Sequence, residues 1–145
     1  MRTLYIDCGM GAAGDMLTAA LLELLPNKDA FLHRMNHLGI PGVVVSAEKS
    51  VKCGITGTHF SVKVHDVEED DHLYDHHHHH HHHGSMDQIR SIVNGMSIPT
   101  MVKLDIMAVY SEIAEAESHA HGVPVDQIHF HEVGSMDAVA DIPAV

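Results

Sequence analysis

A run of eight consecutive histidines, residues 76–83, divides this 145-residue chain into two parts. The run lies in a polar stretch, Val67 to Ser85, that also contains the acidic sequence Glu68-Glu69-Asp70-Asp71. Because this stretch has almost no apolar side chains to bury, we predict that residues 67–85 form a disordered loop. The remaining residues suffice for one domain, so we interpret the loop as an excursion from a single domain, residues 1–145.

The composition excludes several classes of protein. Eight Lys+Arg against 20 Asp+Glu give a formal net charge of −12, which disfavours nucleic acid as a partner. No apolar run approaches the roughly 20 residues of a membrane helix, so we expect no membrane partner. The first residues lack the layout of a signal peptide, and two cysteines cannot form a disulfide framework, so we expect a cytoplasmic protein. The oligomeric state stays open, a homo-oligomer included.

The N-terminal residues predict a strand, a glycine-rich loop and a helix in succession. Residues 2–8 place Leu4 and Ile6 on one face of a strand and Tyr5 on the other. The sequence Gly9-Met10-Gly11-Ala12-Ala13-Gly14 follows, and a helical period then begins at Asp15 and stops at Pro26.

The rest of the chain predicts alternating helices and strands. We expect strands over 43–52, 58–65 and 128–131, and helices over 28–38, 86–93, 99–121 and from 135 onward. The long helix carries a regular apolar stripe, which we assign to the core: Val102, Ile106, Val109, Ile113, Ala116 and Ala120. Together these elements predict an α/β domain with a mixed sheet of about four strands and helices packed on it.

The glycine-rich segment is the first candidate site. Small residues before a helix let backbone amides approach an anion, so Asp7, Gly9, Gly11, Gly14 and Asp15 are candidates for binding a substrate phosphate. The spacing is neither that of a P-loop nor that of a dinucleotide fingerprint. Asp15 has two interpretations, as a capping residue of a tight turn or as a metal ligand that bridges to a phosphate.

The second candidate site is the sequence from His129 to Asp141. On a strand, the imidazoles of His129 and His131 project from one face and can share a cation. With Glu132, and with Asp137 and Asp141 spaced i, i+4 on the next helix, they form a donor set that suits nickel, zinc or manganese. The alternative is a set of surface histidines beside a helix that favours acidic residues.

The histidine run itself predicts loose, pH-sensitive metal binding, because each imidazole must be deprotonated to coordinate. Its members are His76, His77, His78, His79, His80, His81, His82 and His83. Full protonation of all 17 histidines would carry the formal charge from −12 to +5. The run followed by Gly-Ser-Met also has the form of a purification tag, although it is internal and helical periodicity resumes at once.

Four further residues are weaker candidates. Cys8 lies beside the glycine loop, where the helix dipole would stabilise its thiolate. The alternative interpretation of Cys8, and of Cys53, is a small residue in the core. His119 and His121 lie in the last turn of the long helix, where a positive charge is favourable.

Three segments together resemble one known family. They are Thr3 to Cys8 followed by Gly11-Ala12-Ala13-Gly14-Asp15-Met16, the acidic and His-rich loop before Asp87-Gln88-Ile89-Arg90, and His119-Ala120-His121-Gly122-Val123-Pro124 leading into His129-Phe130-His131-Glu132-Val133-Gly134-Ser135-Met136-Asp137. This pattern is similar to the LarC family, the nickel insertion proteins of nickel-pincer nucleotide biosynthesis. Natural His-rich tracts occur at this place in that family, which weakens the tag interpretation.

The resemblance implies a CTP-dependent cyclometallase of the lyase class. It places nickel into pyridinium-3,5-bisthiocarboxylic acid mononucleotide and forms one nickel–carbon and two nickel–sulfur bonds. Proteins of this family are much longer than this chain. We therefore expect this piece to lack the C-terminal nucleotide-associated domain and to be inactive without it. That domain would be joined to this chain or belong to a separate chain. CTP and Mg or Mn are expected only with that domain.

The resemblance also implies nickel as cofactor and a pyridinium-type mononucleotide as substrate. The glycine segment would hold the phosphate, and the second site would receive nickel, with Glu132, His131 and Asp137 as candidate catalytic residues. Pro143 departs from the family pattern, since a proline this early is expected to kink the helix. The alternative function is nickel or zinc storage and delivery without chemistry, and a third is a phosphate-binding regulatory module that carries a tag.

Overall fold

The structure is a computed structural model that describes residues 1, 3–9, 11–65, 67–68, 84–130 and 134–145, with the backbone alone at residues 67, 68 and 129. Most of the loop predicted to be disordered therefore lies outside the described residues. The two ends of that loop are described, and each is part of a short strand.

The described residues contain helices and strands in the order α1, α2, β1, β2, β3, β4, α3, α4, β5, α5. The helices are α1 (Gly14–Leu22), α2 (Lys28–Met35), α3 (Met86–Gly95), α4 (Thr100–His121) and α5 (Met136–Ala144). The strands are β1 (Val43–Lys52), β2 (Ile55–Val64), β3 (Val67–Glu68), β4 (Gly84–Ser85) and β5 (His129–Phe130), with a short 3₁₀ helix, Val125–Gln127, before β5.

The first sheet is built on the β1–β2 hairpin, whose strands correspond to those predicted over 43–52 and 58–65. The two strands pair antiparallel from Val43 opposite Val64 to Lys52 opposite Ile55, and β3 pairs with the other edge of β2. The hairpin turn is Cys53-Gly54, with φ angles of 54° and 79°. Both residues are left-handed, as in the two-residue turns whose twist matches that of a hairpin.

The second sheet joins the two ends of the sequence that flank the histidine run and the second candidate site. Here β4 pairs antiparallel with β5, with Gly84 opposite Phe130 and Ser85 opposite His129. The α/β class is thus confirmed, but all strand pairs among the described residues are antiparallel and fall in two sheets, not one mixed sheet. Two parallel strands need a crossover connection between them, and the described residues contain no such connection.

The strand predicted over residues 2–8 is wrong for the part that is described. Residues 3–8 have no strand pairing, and Leu4 and Tyr5 are 57% and 84% exposed. A strand needs a neighbour that takes up its backbone hydrogen bonds. The described residues provide none for this segment, although its alternating sequence favours extended backbone.

The core lies between the hairpin and the helices α1, α3, α4 and α5. Its largest fully buried apolar and aromatic side chains are Leu22, Phe60, Ile89, Val93, Tyr110, Phe130 and Val139. The stripe predicted on α4 is confirmed at Ile106, which is buried, and at Ile113, which packs partly buried against the core. The helix also buries Tyr110 and Ala114. Val102 and Val109 stay 37% and 45% exposed, so the stripe is not wholly in the core.

Helix ends follow local chemistry. Ser85 caps α3 with a capping box in which its hydroxyl accepts from the Gln88 amide and the Gln88 side chain accepts from the Ser85 amide. Pro143 lies within the last turn of α5, and the helix continues through it to Ala144. None of the helices in the described ranges combines the length and the apolar character that crossing a membrane requires.

Candidate functional site

The glycine segment before α1 forms a locally hydrogen-bonded turn. The Asp7 carboxylate accepts from the Gly9 amide at 2.9 Å, and the Gly11 amide donates to the Cys8 carbonyl at 2.9 Å. Gly11 adopts a φ of 87°, a conformation that L side chains rarely adopt. The amides of Gly9 and Gly11, which we predicted to bind phosphate, are therefore engaged within the turn.

Helix α1 begins at Gly14, whereas the sequence predicted a start at Asp15. Ala13 is the capping residue and makes no side-chain hydrogen bond. Asp15 lies in the first turn, where its carboxylate accepts from the Met16 amide at 2.7 Å. Asp15 is thus not the capping residue, although its negative charge still lies near the positive end of the helix dipole.

The two candidate sites meet where α5 packs against the start of α1. A Cβ added to Gly14 would lie 2.6 Å from the Asp141 Cβ and 2.8 Å from the Asp141 Oδ2. Only a residue without a side chain permits this approach of the two helices. The sequence does not reveal this proximity, because the residues lie at opposite ends of the chain.

Asp141 is the electrostatic centre of this junction. Its pKa is raised to about 6, most strongly by burial and then by the charges of Asp15 and Asp137, while a hydrogen bond from the Asp15 backbone opposes the change. Its Oδ1 atom is buried with no hydrogen-bond partner among the described residues. Asp137, in contrast, accepts a hydrogen bond from the Ser135 hydroxyl.

Tyr110 is a residue that the sequence analysis did not single out. It is fully buried on α4, and its pKa lies far above the ordinary value because of burial and the nearby charges of Asp137 and Asp141. Its ring lies 5.9 Å from that of Phe130, which lies between His129 and His131 in the sequence of the second candidate site. In the sequence, the position of Tyr110 four residues after Ile106, on the apolar side of the predicted helix, could have indicated that it is buried.

An apolar groove of about 720 Å³ opens beside the junction. Its walls come from the exposed side of α4, from the start of α1 and from the end of α5, and they carry two carboxylates, Asp105 and Asp141. The side chains of the predicted α4 stripe, Val102, Ile106, Val109 and Ile113, line this groove. The stripe therefore contributes side chains to the groove as well as to the core.

The residues next to the histidine run are packed directly on the second candidate site. Besides the pairing of β4 with β5, a Cβ on Gly84 would lie 2.7 Å from the Gly134 carbonyl oxygen. A Cβ on Gly134 would lie 2.8 Å from the Phe130 Cβ. This contact between two backbones holds the C-terminal end of the loop against the segment that contains Phe130.

Several predicted site residues lie outside the described residues. These are His131, Glu132 and the whole histidine run, together with the side chain of His129. Among the side chains that the structure describes, no three His, Cys, Asp or Glu residues are arranged to hold a metal ion. The metal site at His129, His131, Glu132, Asp137 and Asp141 therefore stays a prediction.

The weaker candidates are all on the surface. Cys8 and Cys53 are both free and exposed, so neither is the core residue that the sequence also allowed. At the end of α4, the His121 Nε2 atom lies 3.0 Å from a carboxylate oxygen of Glu117.

Comparison with known proteins covers nearly the whole chain. A family model described as nickel insertion protein matches residues 4–145. The chain is 37% identical to the pyridinium-3,5-bisthiocarboxylic acid mononucleotide nickel insertion protein of Acetivibrio thermocellus over 98% of the chain and 34% of that protein. The proteins of the same name from Clostridium kluyveri and Alkaliphilus metalliredigens are 36% and 33% identical, over 98% and 97% of the chain and 36% and 35% of their own lengths. The chain thus spans about a third of these relatives. No solved structure matches it.

Proposed function

The chain belongs to the family of nickel insertion proteins, and we propose that it gathers nickel and presents it for insertion into pyridinium-3,5-bisthiocarboxylic acid mononucleotide. The names of its relatives supply this substrate. CTP, with Mg or Mn, would act with the remaining part of the relatives' length, joined to this chain or as a separate one. We place the complete reaction in the lyase class and in the cytoplasm, and expect this chain alone to be inactive.

The observation that carries the proposal is the pairing of β4 with β5. Gly84 is opposite Phe130, and the residues that continue these strands in the sequence are His83 and His131. Gly84, which follows the histidine run in the sequence, is thereby held against Phe130, which lies between His129 and His131 in the sequence. Nickel collected by the run would have a short path to the second candidate site.

The donor set of the receiving site suits nickel. His129, His131 and Glu132 supply imidazole and carboxylate ligands, which borderline divalent ions accept. Asp137 and Asp141 add negative charge, and the raised pKa of Asp141, about 6, reflects burial and repulsion from its neighbours. A divalent cation would relieve that repulsion, so we propose that these carboxylates favour nickel at this position.

The groove fits the ring of the proposed substrate. A pyridinium ring is both aromatic and cationic, and the groove combines apolar walls with the Asp105 and Asp141 carboxylates. We place the substrate phosphate at Asp7, Gly9, Gly11, Gly14 and Asp15, where the Gly9 and Gly11 amides would exchange their turn hydrogen bonds for phosphate oxygens.

Insertion breaks a ring carbon–hydrogen bond and forms the nickel–carbon bond at the same atom. The released proton needs an acceptor within reach, and we propose Glu132 or His131 for this role. Replacing Glu132 by Gln should slow insertion in the complete protein while nickel stays bound, whereas His131→Ala, which also removes a proposed nickel ligand, should abolish insertion together with nickel binding at this site. Unimpaired insertion in both variants, with nickel still bound, would remove these residues from the chemistry.

Calorimetric titration of Ni²⁺ at pH 7.5 tests the metal site. The experiment compares the full chain with a variant in which His76 to His83 are all replaced by Asn. We expect that variant to keep a site that is lost on further replacement of His131 by Ala, while His119→Ala, an exposed histidine outside the site, is the matched control. If His131→Ala changes nothing in this background, the chain stores or delivers metal, and the chemistry lies elsewhere.

A further inference from the structure

The residues before the glycine segment carry apolar side chains that the described residues leave uncovered. Leu4, Tyr5 and Ile6 are 57%, 84% and 51% exposed. A single exposed apolar side chain is ordinary, but a run of three in succession is typical of a surface that binds a partner. On a strand, Tyr5 lies on the face opposite to that of Leu4 and Ile6, so burying all three requires cover on both faces.

The backbone of residues 3–6 also lacks a neighbour within the described part of the chain. No strand pairs with these residues, and no turn or helix hydrogen bond involves them there. The adjoining turn is closed, because the Asp7 carboxylate accepts from the Gly9 amide at 2.9 Å. Unpaired amides and carbonyls beside apolar side chains are what an edge strand offers to a second strand. Residues 3–6 therefore have the features of a strand without its partner.

The segment is attached to a packed part of the fold. Gly14 is held against Asp141, where a Cβ would have no room. Ala12 and Gly14 line the same groove as Val145. A polypeptide joined to Val145 would therefore start beside the residues that follow the segment, and it would reach residues 3–6 over a short path.

The length of the relatives indicates which molecule supplies the missing strand. The family match begins at Leu4, so the exposed apolar run belongs to the part that the family shares. This chain spans only about a third of the relatives, and the rest of their length is available to pair with it. A second copy of this chain is a poorer partner, because each copy has a formal net charge of −12 and the two would repel each other.

We propose that residues 3–6 are a docking strand, which pairs edge to edge with a strand from the part of the nickel insertion proteins that this chain does not span. The partner strand takes up the free backbone groups, and apolar side chains around it cover Leu4, Tyr5 and Ile6. This pairing rests on membership of the family and not on nickel binding. Failure of the nickel site would leave it unaffected.

Amide hydrogen exchange followed by mass spectrometry tests the pairing. It compares this chain alone with the complete relative from Acetivibrio thermocellus, each without nickel or nucleotide. We expect residues 3–6 to exchange in this chain as fast as in an unstructured peptide. The matching residues of the relative should exchange at least about tenfold more slowly, because strand pairing protects amides. The control is β1, which is paired in this chain and should be protected in both proteins.

Proline variants test whether the protection comes from strand pairing, because proline removes the amide that a strand donates. Tyr5→Pro and Ile6→Pro are made singly, since successive amides of a strand point to opposite edges. In this chain both should leave the urea midpoint unchanged. In the complete relative, proline at one or both matching positions should raise the exchange of the segment to the rate seen in this chain, while the region matching β1 stays protected.

Three results would overturn the proposal. Fast exchange of the segment in both proteins would mean that the rest of the relative does not pair with it. Slow exchange in this chain alone would place the neighbour within this chain or in a second copy. Protection in the relative that survives both proline variants would have a source other than strand pairing.

Discussion

The two segments that carry the candidate chemistry are held in opposite ways. The N-terminal segment, residues 3–13, is exposed throughout its described length, and its hydrogen bonds close a turn on itself. The C-terminal segment, residues 128–145, places Ile128, Phe130, Val139 and Ala140 in the core. Both segments have sequences that indicate a binding site. The comparison shows that such a sequence does not indicate whether the segment is exposed or packed into the core.

The largest difference is expected from removing one aromatic side chain in each segment. Phe130 is 1% exposed and Tyr5 is 84% exposed. Phe130→Ala should lower the free energy of unfolding by about 3–5 kcal/mol, because it leaves a cavity in the core. Tyr5→Ala should stay within about 0.5 kcal/mol of the parent. Urea unfolding followed by circular dichroism measures both, and a Tyr5 variant as unstable as the Phe130 variant would mean that the N-terminal segment is packed.

A smaller difference is expected between glycines of the two segments, for different physical reasons. Gly134 has no room for a Cβ, and Gly134→Ala should cost about 1–3 kcal/mol through steric overlap with Phe130. Gly11 has open space but a φ of 87°, so Gly11→Ala should cost about 1 kcal/mol through backbone strain.

Asparagine at the same two positions separates these causes. Asn adopts left-handed backbone more readily than Ala, so Gly11→Asn should be less destabilising than Gly11→Ala. At Gly134 the larger side chain should make Asn worse than Ala. The same order of the two variants at both positions, in urea unfolding, would contradict the distinction between strain and overlap.

The smallest effect concerns Asp141, where the two segments meet. Its pKa is raised from 3.8 to about 6, so the folded state binds more protons than the unfolded state between these pH values. This contribution to stability is present at pH 4 and is lost as the pH rises through 6. Asp141→Asn should therefore gain stability relative to the parent on going from pH 4 to pH 7.5, by about 1 kcal/mol, since solvent screens a partly exposed carboxylate.

The measurement is urea unfolding of parent and variant at both pH values. Taking the difference between variant and parent at each pH cancels the contribution of the many histidines, which titrate in both proteins. Asp105→Asn, which changes an exposed carboxylate in the same groove, controls for altering charge there. A gain for Asp141→Asn that is equal at both pH values would show that the fold does not raise this pKa.

Sequence patterns were most successful where the structure depends on neighbouring residues. The predicted strand over 43–52 matches β1 residue for residue, and the predicted long helix differs from α4 by one residue at its start. Side-chain alternation, proline at a helix start and glycine at a helix end act within a few residues. The donor types of the second candidate site could be named from the sequence for the same reason, since ligand chemistry belongs to individual side chains.

Tertiary contacts decided the rest. Residues 3–8 have the sequence of a strand but no partner among the described residues, and only long-range pairing creates a strand. Side-chain periodicity could not distinguish the core side of α4 from its groove side, because apolar side chains lie on both sides and only tertiary packing decides which of them are buried.

By itself the sequence determined most local elements and the acidic charge, because these follow from each residue and its close neighbours, and it predicts the side chains that would bind metal. Only the tertiary structure placed Asp141 against Gly14, although they are 127 positions apart, and Gly84 against Gly134. Such contacts depend on how separate elements pack, with backbones approaching where no side chain intervenes. That packing brought Gly14 and Asp141 of the two candidate sites together and held Gly84 against the second site.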